Sequence, residues 1–365
     1  MSFGARALIR LGALRHNFDV LRAVVPAAKI MAVIKANAYG HGMVAVAKSL
    51  PDADAFAVAR VPEAVELREH GVTSPIVLLA GVIDQEELQL AVKGDFEPVV
   101  HCLEQIKLLE TCNSGAVTVW LKFDTGMNRL GFDPSEAEGL IERMRCVRAV
   151  KEFRLMTHLS SADELDYPVT RTQMKQFHEL AEHFDGAVSI ANSAGLFGWT
   201  ESLNGPSSTS QVTWFRPGIA LFGISPFADK SAAELGLKPV MQFEARLIAV
   251  KPLAKGEFVG YKRSYQSESN STLGIISAGY GDGYSRHFKS GTPVLLNGRR
   301  VPVIGNVSMD MIAVDLGNEA SDNVGDVATL WGDGLPVEEV SPWANAIPYE
   351  LVCGVMNREA SEIVD

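Results

Sequence analysis

The stretch "KIMAVIKANAYGHG" (29–42) runs through an apolar segment, reaches a lysine, and then turns through two glycines. Residues 30–34 are continuously apolar rather than alternating, the pattern of a strand buried on both faces. Lys35 at its end has two readings. It is the strand's exit into solvent, the ordinary place for a lysine, or it is an amine held at a pocket mouth to form a Schiff base with a carbonyl. The surrounding sequence has to decide.

Seven similar runs follow: "AFAVA" (55–59), "PIVLLAG" (75–81), "FEPVV" (96–100), "VTVWLKFD" (117–124), "FRLMTHL" (153–159), "AVSIAN" (187–192) and "FRPGIALFG" (215–223). Segments of helical period lie between them, such as 61–70, 84–93 and 134–147. Pro62 and Glu63 open the first of these, and Asp84 caps the second. Eight strand–helix units within about 220 residues predict an N-terminal (β/α)8 TIM-type barrel rather than a doubly wound sheet. From residue 237 the texture changes to short strands separated by Gly, Pro and Asn turns, which predicts a mostly-β domain. The expected division is 1–236 and 237–365, with the junction in the polar stretch 227–239.

The 365 residues are 47% hydrophobic and 21% charged, an ordinary globular composition. The net charge of −11 and the lack of basic runs argue against nucleic acid and anionic membranes as partners. The N-terminus has no apolar core of a signal peptide, and no segment approaches the roughly 18 apolar residues of a membrane helix. Four cysteines without CxxC spacing fit reduced thiols, hence a cytoplasmic protein.

Function in such a barrel collects at the C-terminal ends of its strands. Those ends carry Lys35 and Tyr39; Lys122, Asp124 and Arg129; His158; Asn192 and Ser193; and Arg216 with Gly218. Each alone reads as a solvated terminus, but together they put several cations on one face. "ANSAG" (191–195) and the N–H groups near Gly218 fall where such barrels hold a phosphate. Other motifs lead nowhere. The histidines of "HELAEH" (178–183) are spaced i, i+5 and cannot share a zinc, so no metal site is expected. "GYGDGY" (279–284) lacks the βαβ context of a nucleotide loop, and there is no GxSxG.

"AVIKANAYGHG", "KFDTGMNRLGF", "MTHLSSADE", "ANSAG", "RPGIALFGISP", "VGYKRSY", "AGYGDGYSR", "GNVSMDM" and "IPYE" together resemble the bacterial alanine racemases, in the same order and with compatible spacing from Lys35 to Tyr349. That resemblance implies a pyridoxal 5′-phosphate enzyme interconverting L- and D-alanine, built as a barrel plus a β domain in a homodimer. Lys35 matches the lysine that binds the cofactor covalently and is one base, and Tyr261 matches the base on the opposite face of the α-carbon. Two faces are needed because each enantiomer presents its proton to a different one. A phenol ordinarily ionises near pH 10 and needs help as a base. In the family a histidine, here His158, links the tyrosine to an arginine, here Arg216, that faces the pyridine nitrogen.

Arginine keeps its proton, which leaves that nitrogen unprotonated and disfavours transamination. Tyr39, Ser193, Gly218, Ile219 and Tyr349 match contacts to the cofactor's phosphate, and Asn192 matches a further cofactor contact. Arg129 and Met309 match substrate contacts, and Tyr280, Arg286 and Asp310 match supporting positions. Lys122 lies seven residues before Arg129, as does a lysine that some members carbamylate; the alternative is a plain salt bridge. Tyr261 and Met309 are implied to reach the partner's barrel. Lys262 stands where many members have glycine, and Ser308 where some have cysteine. Three other functions are weighed: a racemase of broader range (serine, for example), a non-catalytic pyridoxal-phosphate module, which would lack the β domain, and a decarboxylase on the same barrel, which would not carry Tyr261 or Arg216.

Overall fold

The computed structural model describes residues 4–199, 212–355 and 361–365. A short strand, β1 (Arg6–Arg10), precedes a closed parallel barrel of eight. The barrel strands are β2 (Lys29–Val33), β3 (Ala55–Val58), β4 (Ile76–Leu78), β5 (Phe96–Val100), β6 (Val117–Lys122), β7 (Val150–Met156), β8 (Val188–Asn192) and β9 (Thr213–Arg216). Each pairs with its successor, and Lys29 opposite Trp214 closes the ring. The continuous apolar runs follow from this closure, because inner faces fill the barrel while outer faces meet helices. Ile30, Met31, Ala32 and Ile34 are all inaccessible to solvent.

The helix starts follow their local chemistry. Asp84 Oδ1 accepts the N–H of Glu87 at 2.8 Å, and Glu63 accepts the N–H of Arg60 at 3.0 Å. The eighth run is shorter than its apolar sequence predicts. It stops at Arg216, because Pro217 has no N–H to continue the ladder, and Ile219–Phe222 form a 3-10 turn instead. At the opposite end of the barrel, Arg154 lies between the rings of Trp120 and Trp214 and binds Glu97 at 3.1 Å, filling that mouth.

Beyond the barrel, Met241–Leu253 leads an eight-stranded sheet ordered 271–276, 312–315, 299–304, 293–296, 327–331, 241–253, β1, 362–364. Thus the first strand of the chain belongs to the C-terminal sheet, antiparallel to 241–244 and parallel to 362–364. One apolar core runs from the barrel into this domain. Among the described residues no helix is long and apolar enough to cross a membrane.

Candidate active site

Lys35 follows the buried strand β2, and what presents it is an unusual backbone. Ala36, Asn37, Ala38 and Tyr39 all have φ of 53–54°, a left-handed turn made without glycine. Such a conformation costs an L-residue roughly 1–2 kcal/mol, so the surroundings must hold it. Ala38 N–H donates to Ile34 O at 2.8 Å, and Asn37 Oδ1 accepts the N–H of Met43 at 2.9 Å. His41 Nδ1 donates to the carbonyls of Ala38 and Tyr39, and its ring stacks on Phe222. Gly40 closes the turn at φ 81°; a Cβ there would lie 2.2 Å from Val352 O.

A set of donors faces Lys35 from β8 and β9. Asn192 Oδ1 caps the helix Ser193–Gly198 by accepting the N–H of Gly195 at 2.9 Å. Ser193 Oγ accepts the N–H groups of Gly218 (3.0 Å) and Ala220 (3.3 Å), which leaves its own proton free to donate. A Cβ at Gly218 would lie 2.5 Å from Tyr39 Oη, so the glycine lets that phenol approach the backbone. Burial pushes the Tyr349 phenol up to about 12, and that of Tyr39 higher still. Both remain neutral donors near pH 7.

The third component is cationic. Arg216 is buried, and its guanidinium donates to Ser189 Oγ, to Thr157 O at 2.6 Å and to Ile190 O at 3.0 Å, and meets His158 Nδ1 at 3.4 Å. All these partners are neutral. Burial lowers Arg216 to about 10. His158 is driven well below its usual range by burial and then by Arg216, Lys122 and Arg129, so it is a neutral imidazole. Burial, reinforced by Arg216 and Arg129, brings Lys122 down to about 8. Lys35 is lowered by burial and by Arg129. The Arg129 loop is shaped by Asp124, whose carboxylate accepts four backbone N–H groups, those of residues 126 to 129, at 2.8–3.0 Å.

These groups line one cavity of about 710 Å³. It contains Lys35, Tyr39, Lys122, Arg129, His158, Asn192, Ser193, Arg216, Gly218, Ile219 and Tyr349. Sequence reasoning had singled out all of these. Tyr261, Tyr280, Arg286, Met309 and Asp310 do not line it. Tyr261 is 69% exposed on a tight turn, Met309 51% and Tyr280 37%. Hydrogen bonds to backbone carbonyls gather three of their loops: the Asn306 side-chain Nδ2 donates to Tyr261 O at 3.1 Å, Tyr280 N–H to Ser308 O and Gly281 N–H to Met309 O. Lys262 has φ 60°, the region glycine occupies freely. Asp163, Ile347 and Cys353 also line the cavity and were not singled out. Cys353 is one helical turn beyond Tyr349, and that spacing could have flagged it.

Residues 9–226 match the family described as alanine racemase, N-terminal domain, and residues 240–363 match alanine racemase, C-terminal domain. The alanine racemase of Vibrio atlanticus is 46% identical over 362 residues, covering 99% of each chain. That of Vibrio vulnificus is 47% identical over 356 residues, covering 97% of each. The crystal structure of the biosynthetic alanine racemase from Pseudomonas aeruginosa superposes with a TM-score of 0.94 at 40% identity, covering all of both chains.

Proposed function

The chain is a member of the alanine racemase family and thus an amino-acid isomerase, and on that premise we propose that it interconverts L- and D-alanine with pyridoxal 5′-phosphate and two bases, Lys35 and Tyr261. The observation that carries the reading is the convergence of a buried-strand lysine with a neutral donor cradle and a carboxylate-free arginine in one cavity. The donor set fits the cofactor. Lys35 supplies the amine for its carbonyl; Tyr39, Ser193, Tyr349 and the N–H groups of Gly218 and Ile219 suit its phosphate; Arg216 suits its ring nitrogen. Bound there, the cofactor delocalises the charge left when the α-proton departs.

The chain's own groups do the rest. Lys35 takes or returns the proton on one face of the α-carbon, and Tyr261 does so on the other. Arg129 orients the substrate carboxylate, with Met309 as a further contact, and His158 with Arg216 forms the polar chain behind the tyrosine. Because Tyr261 and Met309 are exposed and lie outside the cavity, we assign them to the partner's site in a homodimer, with Tyr280, Arg286 and Asp310 supporting that edge. The barrel within 1–236 is then the cofactor unit, and 237–365, whose sheet also takes in β1, is the unit that supplies the second base. The cellular role is D-alanine supply for peptidoglycan, or alanine breakdown, in the cytoplasm. Incubation with L-alanine in D2O is expected to place deuterium at Cα while optical rotation decays. A protein that leaves the α-proton in place refutes the assignment. Comparable exchange into L-serine marks the broader racemase.

Lys122 belongs to this reading as a carbamate. Asp124, the carboxylate acting on it, is already occupied by backbone N–H groups, and the remaining charged neighbours are cations. An amine that ionises at about 8 offers its lone pair to the carbon of CO2; an N–C bond forms, a proton leaves to solvent, and a negative charge stands among the cations. Labelled bicarbonate is expected to give a carbamate 13C signal that Lys122→Met abolishes. In CO2-free buffer the sign is fixed by linkage. Below about 8 the amine is charged in both states and burial disfavours the folded one. Between about 8 and 10.5 the folded chain has lost a proton that the unfolded chain keeps, so stability rises with pH. Lys122→Met removes that rise, and urea unfolding across this window reads it; equal slopes for both proteins contradict the assignment.

A further inference from the structure

The left-handed turn after Lys35 is tied to the rest of the barrel by one carboxylate. Glu63 Oε1 accepts the N–H of Ala36 at 2.7 Å, while Oε2 accepts the N–H of Ala59 at 2.7 Å and of Arg60 at 3.0 Å. The Arg60 bond is the Glu63 half of a capping box at the start of the helix Val61–Glu69, since the Arg60 side chain has no acceptor to complete it. Helix capping does not account for the Ala36 bond, which spans 27 residues and reaches the residue directly after the lysine. Ala36 and Ala59 both line the cavity, so Glu63 fixes two of its walls to each other beside Lys35. Its charge also matters there. Beyond burial, Arg129 disfavours the ammonium form of Lys35, while Glu63 and Cys353 favour it.

We propose that Glu63 is a positioning residue for racemisation: its carboxylate locks the left-handed turn that aims the Lys35 amine. The inference rests on the reading of Lys35 as the reactive amine, and it acts through the backbone, since Glu63 itself does not line the cavity.

The test titrates Lys35 in the cofactor-free protein, by the pH dependence of its reductive methylation located by peptide mass spectrometry, and reads kcat and KM separately in the loaded enzyme. Glu63→Gln removes the charge and turns one acceptor oxygen into a donor facing backbone N–H groups. It is expected to lower the pH midpoint of Lys35 labelling and to reduce kcat about tenfold, with KM within about threefold, because misaligned reacting groups lose rate more than binding. Glu63→Asp keeps the charge but is one methylene too short for both walls, so the midpoint returns toward wild type while kcat stays low.

Ala36→Gly supplies the second arm, since glycine adopts the left-handed turn without the clamp. Adding it to Glu63→Gln is expected to recover kcat by about threefold or more, a coupling that independent sites would not show. A lower melting temperature with unchanged Lys35 titration and kcat would reduce Glu63 to a helix cap and overturn the proposal; so would a double variant no better than the single one. The titration does not depend on racemase chemistry. A midpoint shift in a protein that fails the D2O exchange test therefore isolates failure of the functional reading from failure of this one.

Discussion

A dimer assembled from one Lys35→Ala protomer and one Tyr261→Phe protomer is expected to recover about half of the wild-type racemase activity, although each homodimer is nearly inactive. The expectation follows from where the two side chains lie. Lys35 lines the barrel cavity, whereas Tyr261 is 69% exposed on the other domain and is absent from the cavity's lining. If the tyrosine serves the partner's site, the mixed dimer contains one site with both bases and one with neither. Each single substitution removes a proton-transfer group, a loss of about 10²–10⁴-fold, so recovery stands far above background. Co-expression with two affinity tags and tandem purification isolates the mixed species. Activity no higher than that of the parent homodimers would place Tyr261 elsewhere.

Replacing Arg216 by lysine is expected to reduce racemisation by about 10²–10³-fold, the scale of losing one preorganised donor, while leaving the fold intact. The guanidinium fork reaches Ser189 Oγ and the carbonyls of Thr157 and Ile190, which belong to two adjacent strand ends. A single ammonium on a flexible stem cannot hold all three with a fixed direction. Protonation also changes. Fully buried, Arg216 still ionises at about 10, whereas a lysine so buried can fall to about 5–6. The variant therefore exchanges a permanently charged donor for one that titrates, and its pH–rate profile should gain an ionisation absent from the wild type. A chiral assay across pH 6–9 reads both effects. Activity within a few-fold of wild type, with an unchanged profile, would mean that charge alone matters at this position.

Much of the site was legible because a barrel converts strand ends into a single surface. Once the eight apolar runs are recognised, Lys35, Lys122, His158, Asn192 and Arg216 are placed together whatever their neighbours. The conformation at those ends was less visible. "KANAY" contains no glycine, so nothing in its residue types marks a left-handed turn; the carboxylate that holds it comes from Glu63 on the next helix. "FRPGIALFG" reads as one apolar strand, yet the proline ends the ladder and releases Gly218 to approach Tyr39. Lys262 is a further case: its φ of 60° is left-handed, and nothing in a lysine marks such a turn.

By itself, the sequence determined the architecture and the chemical kind of each group in the cavity, because hydrophobic period and strand-end polarity are local properties that survive without knowledge of distant partners. Tertiary structure decided what depends on long-range approach. It placed β1 in the sheet of the other domain, with Arg6 beside Glu244 at 2.7 Å. It buried Arg216 among neutral acceptors and His158 beside cations, and burial first and then, for His158, those cations set their protonation. It also separated Tyr261 from Lys35 within one chain. Burial, field and reach are sums over neighbours that are remote in sequence, and only the folded chain specifies which neighbours those are.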